Sequence, residues 1–133
     1  MIKTMGLTHL GLAVRDLDRS LRFYEQVFGC RVVHRGEHSA DINTPEANDI
    51  ITLSEETGDD IGALGGGLSH FGFRLESPDD IDAAVKAIEN AGGTVAERGE
   101  FVPGEPYLFA RDPDGYAIEV WYELEGLEPP SEA

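Results

Sequence analysis

Apolar and polar positions alternate along three short stretches of the chain, which is the pattern of a β-strand with one buried face. The stretches 9–14 and 70–75 each begin with a His and place a Gly two residues later, with apolar residues at the alternate positions. In 117–121, Glu119 stands between two apolar neighbours. Because successive strand side chains point to opposite faces, both histidines and the glutamate are expected on the face opposite the apolar one.

A helical pattern, with apolar residues three and four positions apart, follows each His-containing strand. The first helix spans Asp18 to Phe28 and stops at Gly29. The second begins after Ser77, a good N-cap residue, and stops at Gly92–Gly93. The two units are about 60 residues apart, so the chain is an internal repeat with a short period.

Further strand patterns complete each unit. Ile50–Ser54 belongs to the first, and in the second Tyr107–Ala110 and Tyr116–Tyr122 flank the sequence 112–115, whose Pro and Gly favour a hairpin turn. The order β-α-β-β-β occurs twice, which predicts an α+β fold of two βαβββ modules forming curled mixed sheets around a shared cleft. The predicted boundaries are 1–60 for the first module, 61–122 for the second and 123–133 for an acidic tail, with Gly58–Gly67 as a flexible connection.

Charge narrows the range of partners. The 133 residues include 26 acidic and 10 basic side chains, a net charge of −16. So acidic a chain repels nucleic acid and anionic membranes, and its expected partner is a small molecule. The start lacks the apolar stretch of a signal peptide and Cys30 is the single cysteine, so a cytoplasmic location is expected, including a high-salt cytoplasm.

His9, His70 and Glu119 are the candidate metal ligands, and the predicted cleft is therefore a metal-binding cleft. Two imidazoles and one carboxylate, with positions left open, form a known set for divalent transition metals. All three leave the strand face opposite the core, where they are costly to bury without partners. The competing interpretation is a degenerate site in a binding protein that keeps the fold.

These residues and the motifs around them resemble the vicinal oxygen chelate superfamily. It groups glyoxalase I, extradiol dioxygenases, fosfomycin-resistance proteins, methylmalonyl-CoA epimerases and bleomycin-binding proteins. The resemblance spans roughly residues 6–122 and rests on His9 with the stretch 16–24, on the His70 strand, and on the turn 112–115 before the Glu. It is specific for a fold and leaves the reaction open.

Thr52 stands where the first module would offer its own ligand when 50–53 is aligned with 117–120. Glyoxalase I and the epimerases, which the chain resembles, have Glu or Gln there, whereas Thr is a poor ligand. The remaining set is that of non-haem iron oxygenases, so Fe(II) is the favoured cofactor, with Mn, Ni or Zn as alternatives. A register slip would instead let Glu55 or Glu56 supply a fourth carboxylate.

The expected function is therefore a divalent-metal-dependent, dioxygenase-like enzyme whose small organic substrate chelates the metal through vicinal oxygens. One alternative is a glyoxalase I-like lyase or isomerase. The other is a non-catalytic drug-binding protein of the bleomycin-resistance type.

Catalysis and substrate binding are expected from neighbouring residues of the second module. In extradiol dioxygenases, which the chain resembles, a Tyr commonly sits ten residues before the Glu ligand, and here that position is Phe109. The candidates for proton transfer are Tyr107, Glu100 and Arg111. The predicted substrate pocket contains Thr52, Arg74, Phe101, Phe109 and Trp121.

A homodimer is the expected assembly, because two small sheets expose edges that one chain covers only in part. The resembled superfamily commonly pairs chains in this way. Either His9 joins His70 and Glu119 of its own chain, or exchanged modules bring it to those residues of the partner. The length of Gly58–Gly67 permits the exchange without choosing between the two.

Overall fold

The computed structural model describes residues 1–59, 61–62 and 67–124. Parts of the predicted glycine-rich connection and nearly all of the predicted tail lie outside these ranges. The first module contains β1 (Leu10–Val14), α1 (Leu17–Phe28), β2 (Arg31–Arg35), β3 (Ser39–Asn43) and β4 (Ile51–Glu55). The second contains β5 (Phe71–Arg74), a 3₁₀ turn (Pro78–Asp80), α2 (Ile81–Asn90), β6 (Thr94–Glu100), β7 (Pro106–Arg111) and β8 (Ala117–Trp121). The α+β fold of two βαβββ modules is confirmed.

Each module forms one four-stranded mixed sheet. The strand orders are β1-β4-β3-β2 and β5-β8-β7-β6, with the first two strands of each order parallel and the others antiparallel. The registers of the two sheets correspond, because Gly11 pairs with Thr52 as Gly72 pairs with Glu119. Thr52 is therefore the positional counterpart of Glu119, as the aligned strands predict.

One face of each sheet packs against the helices. Leu12 and Val14 of β1 and Ile118 and Val120 of β8 are almost fully buried, and they join side chains of both helices in a continuous core. The helices also contact each other. Because strand side chains alternate, each sheet keeps a second face that points away from the helices, which we call its free face. The free face of the first sheet carries Gly11, Asp41 and Thr52, and that of the second carries Gly72, Tyr107, Phe109, Glu119 and Trp121.

The helix ends follow the sequence signals with one difference. Asp16 caps α1 by accepting a hydrogen bond from Arg19 N at 3.0 Å, and Gly29 ends it with a left-handed φ of 69°. Ser77 also caps its helical segment, but the first turn there is a 3₁₀ turn and α2 begins only at Ile81. Short 3₁₀ turns are common at the start of α-helices.

Two buried aspartates of the β7–β8 turn join the second module to α1 of the first. The Tyr24 hydroxyl donates to Asp112 Oδ2 at 2.7 Å. Arg19 Nη2 and Ser20 Oγ donate to the two carboxylate oxygens of Asp114 at 2.9 and 3.2 Å. The sequence predicts only a hairpin turn at this position. The structure adds a second role, because these carboxylates hold the two modules together through hydrogen bonds.

Burial sets the ionisation of this network. Burial, and then the neighbouring Asp112 carboxylate, raise the pKa of Tyr24 well above its ordinary value of 10.0. Burial also raises the pKa of Asp112, against the lowering effect of the hydrogen bonds from Tyr24 and Tyr116. Tyr24 is therefore a neutral donor at pH 7, and its hydroxyl helps to make a buried carboxylate tolerable.

We expect Tyr24→Phe to lower the free energy of unfolding by about 1–3 kcal/mol, because it leaves a buried carboxylate with one donor fewer. Tyr122→Phe is the matched control, since its hydroxyl makes no hydrogen bond within the described part of the chain. Urea denaturation of both variants at pH 7 measures the difference. Equal stability of the two variants would contradict the role of this hydroxyl.

Candidate metal centre

Each candidate histidine lies immediately before a strand rather than inside it. His9 precedes β1 and His70 precedes β5, which corrects the predicted placement within the strands by one residue. A hydroxyl from the preceding residue contacts each ring: Thr8 Oγ1 lies 2.7 Å from Nδ1 of His9, and Ser69 Oγ lies 3.0 Å from Nδ1 of His70. When Nδ1–H donates to that hydroxyl, Nε2 keeps its lone pair for a metal ion.

His70 and Glu119 form one half of the candidate metal site. Nε2 of His70 lies 3.2 Å from Oε2 of Glu119, close enough for both atoms to contact one ion with bonds of about 2.0–2.2 Å. The Glu119 side chain is 15% exposed, and that of His70 is 40% exposed. Gly72 lets β5 lie close to the backbone of β8, since a Cβ there would lie 3.1 Å from the carbonyl oxygen of Glu119. The donor types and their separation fit a divalent transition metal.

The first module contributes the other half of the candidate site, with different residues. Thr52, the counterpart of Glu119, donates a hydrogen bond from Oγ1 to Asp41 Oδ1 at 2.7 Å. His9 borders a cavity of about 230 Å³ between β1 and β5. Glu55 accepts a hydrogen bond from Leu17 N at 2.8 Å, and the β1–β4 register has no slip. The Glu55 carboxylate is therefore hydrogen-bonded to the first residue of α1.

The two halves do not form a complete site within one chain. Across residues 1–59, 61–62 and 67–124, no group of three or more His, Cys, Asp or Glu side chains could hold a metal ion. Within these residues His70 meets Glu119, while His9 borders a cavity whose wall also includes Phe71 and Gly72 of β5. The three-residue ligand set stays a prediction that needs a source for the third ligand.

Aromatic side chains on and beside the free face of the second sheet form a wall next to Glu119. The rings of Phe101 and Tyr107 stack, with their centroids 4.2 Å apart. Phe109 contacts the ring of His70 edge-on, with a centroid distance of 5.2 Å. Trp121 lies at the end of this wall, with its ring centroid 6.3 Å from that of Phe101. The structure therefore brings three of the predicted pocket residues together beside the His70–Glu119 pair.

Tyr107 belongs to this wall as an uncharged group. Desolvation, followed by the charge and hydrogen bonding of Glu97 and by the charge of Glu119, raises the pKa of Tyr107. Its phenol is therefore protonated at neutral pH and can donate a hydrogen bond. It is a poor proton acceptor.

The other predicted site residues have structural contacts. Arg74 forms an ion pair with Glu123 at 3.2 Å. Arg111 Nη1 donates to Gly115 O at 2.9 Å across the β7–β8 turn. Glu100 accepts a hydrogen bond from Gly104 N at 3.1 Å and so holds the loop after β6. A catalytic role for Glu100 or Arg111 stays a prediction.

Sequence reasoning missed three polar residues of the two halves. Thr8 and Ser69 precede the two histidines at equivalent repeat positions, so extending the repeat by one residue would have found them. Asp41 alternates with two buried apolar neighbours in β3, which is the pattern that identifies Glu119 in β8.

Known proteins share this fold and part of this sequence. The family model of the Glyoxalase/Bleomycin resistance protein/Dioxygenase superfamily matches residues 6–120. An uncharacterized protein of Pseudomonas aeruginosa is 38% identical, over 96% of this chain and 94% of that protein. A lactoylglutathione lyase of Haemophilus influenzae is 34% identical, over 86% and 90%. The fosfomycin resistance protein FosX of Listeria monocytogenes has the same fold, with a TM-score of 0.74 at 20% identity over 94% and 97%.

The chain belongs to the Glyoxalase/Bleomycin resistance protein/Dioxygenase superfamily. The family model covers both modules, the two histidine segments and Glu119. The resemblance drawn from the motifs is thereby confirmed.

We expect Gly72→Ala to weaken metal binding by up to about tenfold, because the new methyl group would shift the Glu119 backbone by a few tenths of an ångström. Gly11→Ala is the matched control at the equivalent repeat position, where a Cβ has nothing within 4 Å. Titration of metal-free protein with Zn²⁺ or Ni²⁺ gives both affinities. Equal affinity in the two variants would contradict the importance of the close β5–β8 approach.

Proposed function

We propose that this protein is a divalent-metal-dependent enzyme of the glyoxalase I type, which isomerises the adduct of a thiol with a small 2-oxoaldehyde. The observation that carries the reaction class is the match to a lactoylglutathione lyase at 34% identity over most of both chains. The His70–Glu119 pair and the aromatic wall support a metal-dependent site for a small organic substrate.

The proposed ligands are His9, His70 and Glu119. A bound divalent ion would act as a Lewis acid on two neighbouring substrate oxygens. Thr8 and Ser69 would fix the orientation of the two imidazole rings through Nδ1. The wall of Phe101, Tyr107, Phe109 and Trp121 would bind the apolar part of the substrate and exclude water.

The dioxygenase-like alternative has less support. The relatives include two lactoylglutathione lyases and two proteins named as probable lactoylglutathione lyases. The position ten residues before Glu119 carries Phe109, and the nearby Tyr107 is a hydrogen-bond donor rather than a base. Isomerisation also needs no O₂, which suits Zn²⁺ or Ni²⁺ as well as Fe²⁺.

We expect protein loaded with Zn²⁺ or Ni²⁺ to convert the hemithioacetal of methylglyoxal into a thioester without O₂. Glutathione and 2-mercaptoethanol, an uncharged thiol, are the two thiols to compare, and thioester absorbance measures the product. Oxygen uptake by Fe(II)-loaded protein with a catechol, and no thioester, would replace the proposal by a dioxygenase. Tight binding of an aromatic drug without turnover in either assay would replace it by a sequestering protein.

We further propose that a second copy of the chain completes the metal centre. The two half-sites are complementary, since one offers His70 and Glu119 and the other offers His9. Leu7 and Leu68, each two residues before a histidine, are 92% and 42% exposed. A twofold-related chain that covers these leucines would bring its His9 to the His70–Glu119 pair and form two equal sites.

We expect a mixture of His9→Ala and Glu119→Ala chains to regain metal binding and activity after subunit exchange. In each heterodimer, one site receives His9 and Glu119 from chains that still carry them. Free exchange at equal concentrations would restore about a quarter of the wild-type sites. Elemental analysis of the mixture, with each variant alone as control, measures this. No recovery despite proven exchange, or a protein that stays monomeric when metal-loaded, would contradict the shared centre.

A further inference from the structure

The outer rings of the aromatic wall stand at a large angle to each other. The Tyr107 ring lies over β6, since a Cβ on Gly99 would be 3.1 Å from its Cε1 and hydroxyl atoms. Phe101 stacks on Tyr107 with the ring planes 11° apart and is itself 50% exposed. The plane of the Trp121 ring is turned by 75° from that of Phe101. Phe101 and Trp121 therefore present aromatic faces in two directions.

A carboxylate lies on the same face of the sheet as these rings. Glu97 pairs with Phe109 between β6 and β7, and Phe109 pairs with Glu119 between β7 and β8. Glu97 is therefore on the free face, where it is exposed. After desolvation, the charge of Glu97 is the largest cause that raises the pKa of Tyr107, so its carboxylate lies near the wall. Glu97 forms no ion pair with any residue in the described part of the chain.

The four strands of the second sheet contain three arginines, and all three are engaged by other groups. Arg74 and Arg98 form ion pairs with acidic residues at 3.2 and 2.7 Å. Arg111 donates to a backbone carbonyl of the β7–β8 turn at 2.9 Å. Glu97 thus adds an uncompensated negative charge beside the wall, which favours a positively charged occupant over a negatively charged one.

We propose that Glu97 determines the specificity of this site: together with the aromatic wall, it binds a positively charged group on the thiol part of the substrate. The inference rests on the proposed function. A methylated ammonium group is attracted both by aromatic faces and by a carboxylate, whereas a carboxylate on the thiol is repelled. Glutathione, which carries two carboxylates and one ammonium group, is therefore a poorer thiol for this protein than a cationic one.

The first test measures binding without turnover. Trp121 is the only tryptophan in the sequence, so its fluorescence reports on the wall. Choline and 3,3-dimethyl-1-butanol have the same shape, but a carbon replaces the quaternary nitrogen in the second. At constant ionic strength we expect choline to bind at least about threefold more tightly, and Glu97→Gln to remove most of this difference. Glu89→Gln is the matched control, because it removes an exposed charge from α2, on the other side of the sheet.

The second test makes the same comparison during turnover of the metal-loaded protein. The adducts of methylglyoxal with thiocholine, 3,3-dimethyl-1-butanethiol and 3-mercaptopropionate are cationic, uncharged and anionic. We expect kcat/KM to fall in that order, by about threefold at each step. Glu97→Gln should bring the first two within about twofold of each other, and Glu97→Asp should keep the order. Each ratio compares two adducts on one protein, so a loss of folded protein cancels.

Three results would overturn the inference while leaving the proposed function intact. They are equal binding of choline and its uncharged isostere, a preference for the anionic adduct, and an unchanged ratio in Glu97→Gln. A wild type that isomerises none of the adducts would instead refute the proposed function. The choline titration would still decide whether Glu97 and the wall bind a cation, because it needs no turnover.

Discussion

The buried carboxylates of Asp112 and Asp114 are the constraint on which the arrangement of the two modules depends. Buried charges are costly unless hydrogen-bonded, and here the donors come from α1, which is about 90 residues earlier in the chain. The network is satisfied only when α1 lies against the β7–β8 turn. It therefore selects one packing of the modules, in which the helices share a core and the free faces of the sheets point away from it.

This packing explains why a repeated scaffold carries an unequal site. The core faces of the two modules obey the same apolar alternation, because both pack on helices. The free faces have diverged: the second offers His70, Glu119 and an aromatic wall, and the first offers His9 with Thr52 and Asp41. In this proposal one half supplies two of the three metal ligands and binds the apolar part of the substrate. The other half supplies the last ligand.

The sequence predicts the fold well because the fold depends on local patterns. Alternation, helical spacing and the caps at Gly29 and Ser77 act over a few residues, and the repeat doubles each signal. The equivalence of Thr52 and Glu119 in the two modules follows from the same repeat. These features could be derived without any tertiary information.

The features that the sequence does not reveal depend on distant contacts. The hydrogen-bond partners of Asp112 and Asp114 lie in the other module, so the sequence of the turn alone does not show that these residues join the modules. The engagement of Glu55 by the α1 backbone is equally non-local. Whether one chain gathers all the ligands depends on module packing, which no periodicity encodes.

We propose that two chains close each metal centre. A crystal structure of the Co²⁺-loaded protein, with anomalous diffraction at the cobalt absorption edge, tests it most directly. A shared centre predicts one anomalous peak per chain, bounded by His70 and Glu119 of one chain and by His9 of its partner. A peak bounded by all three residues of a single chain, or a peak away from Glu119, would contradict it.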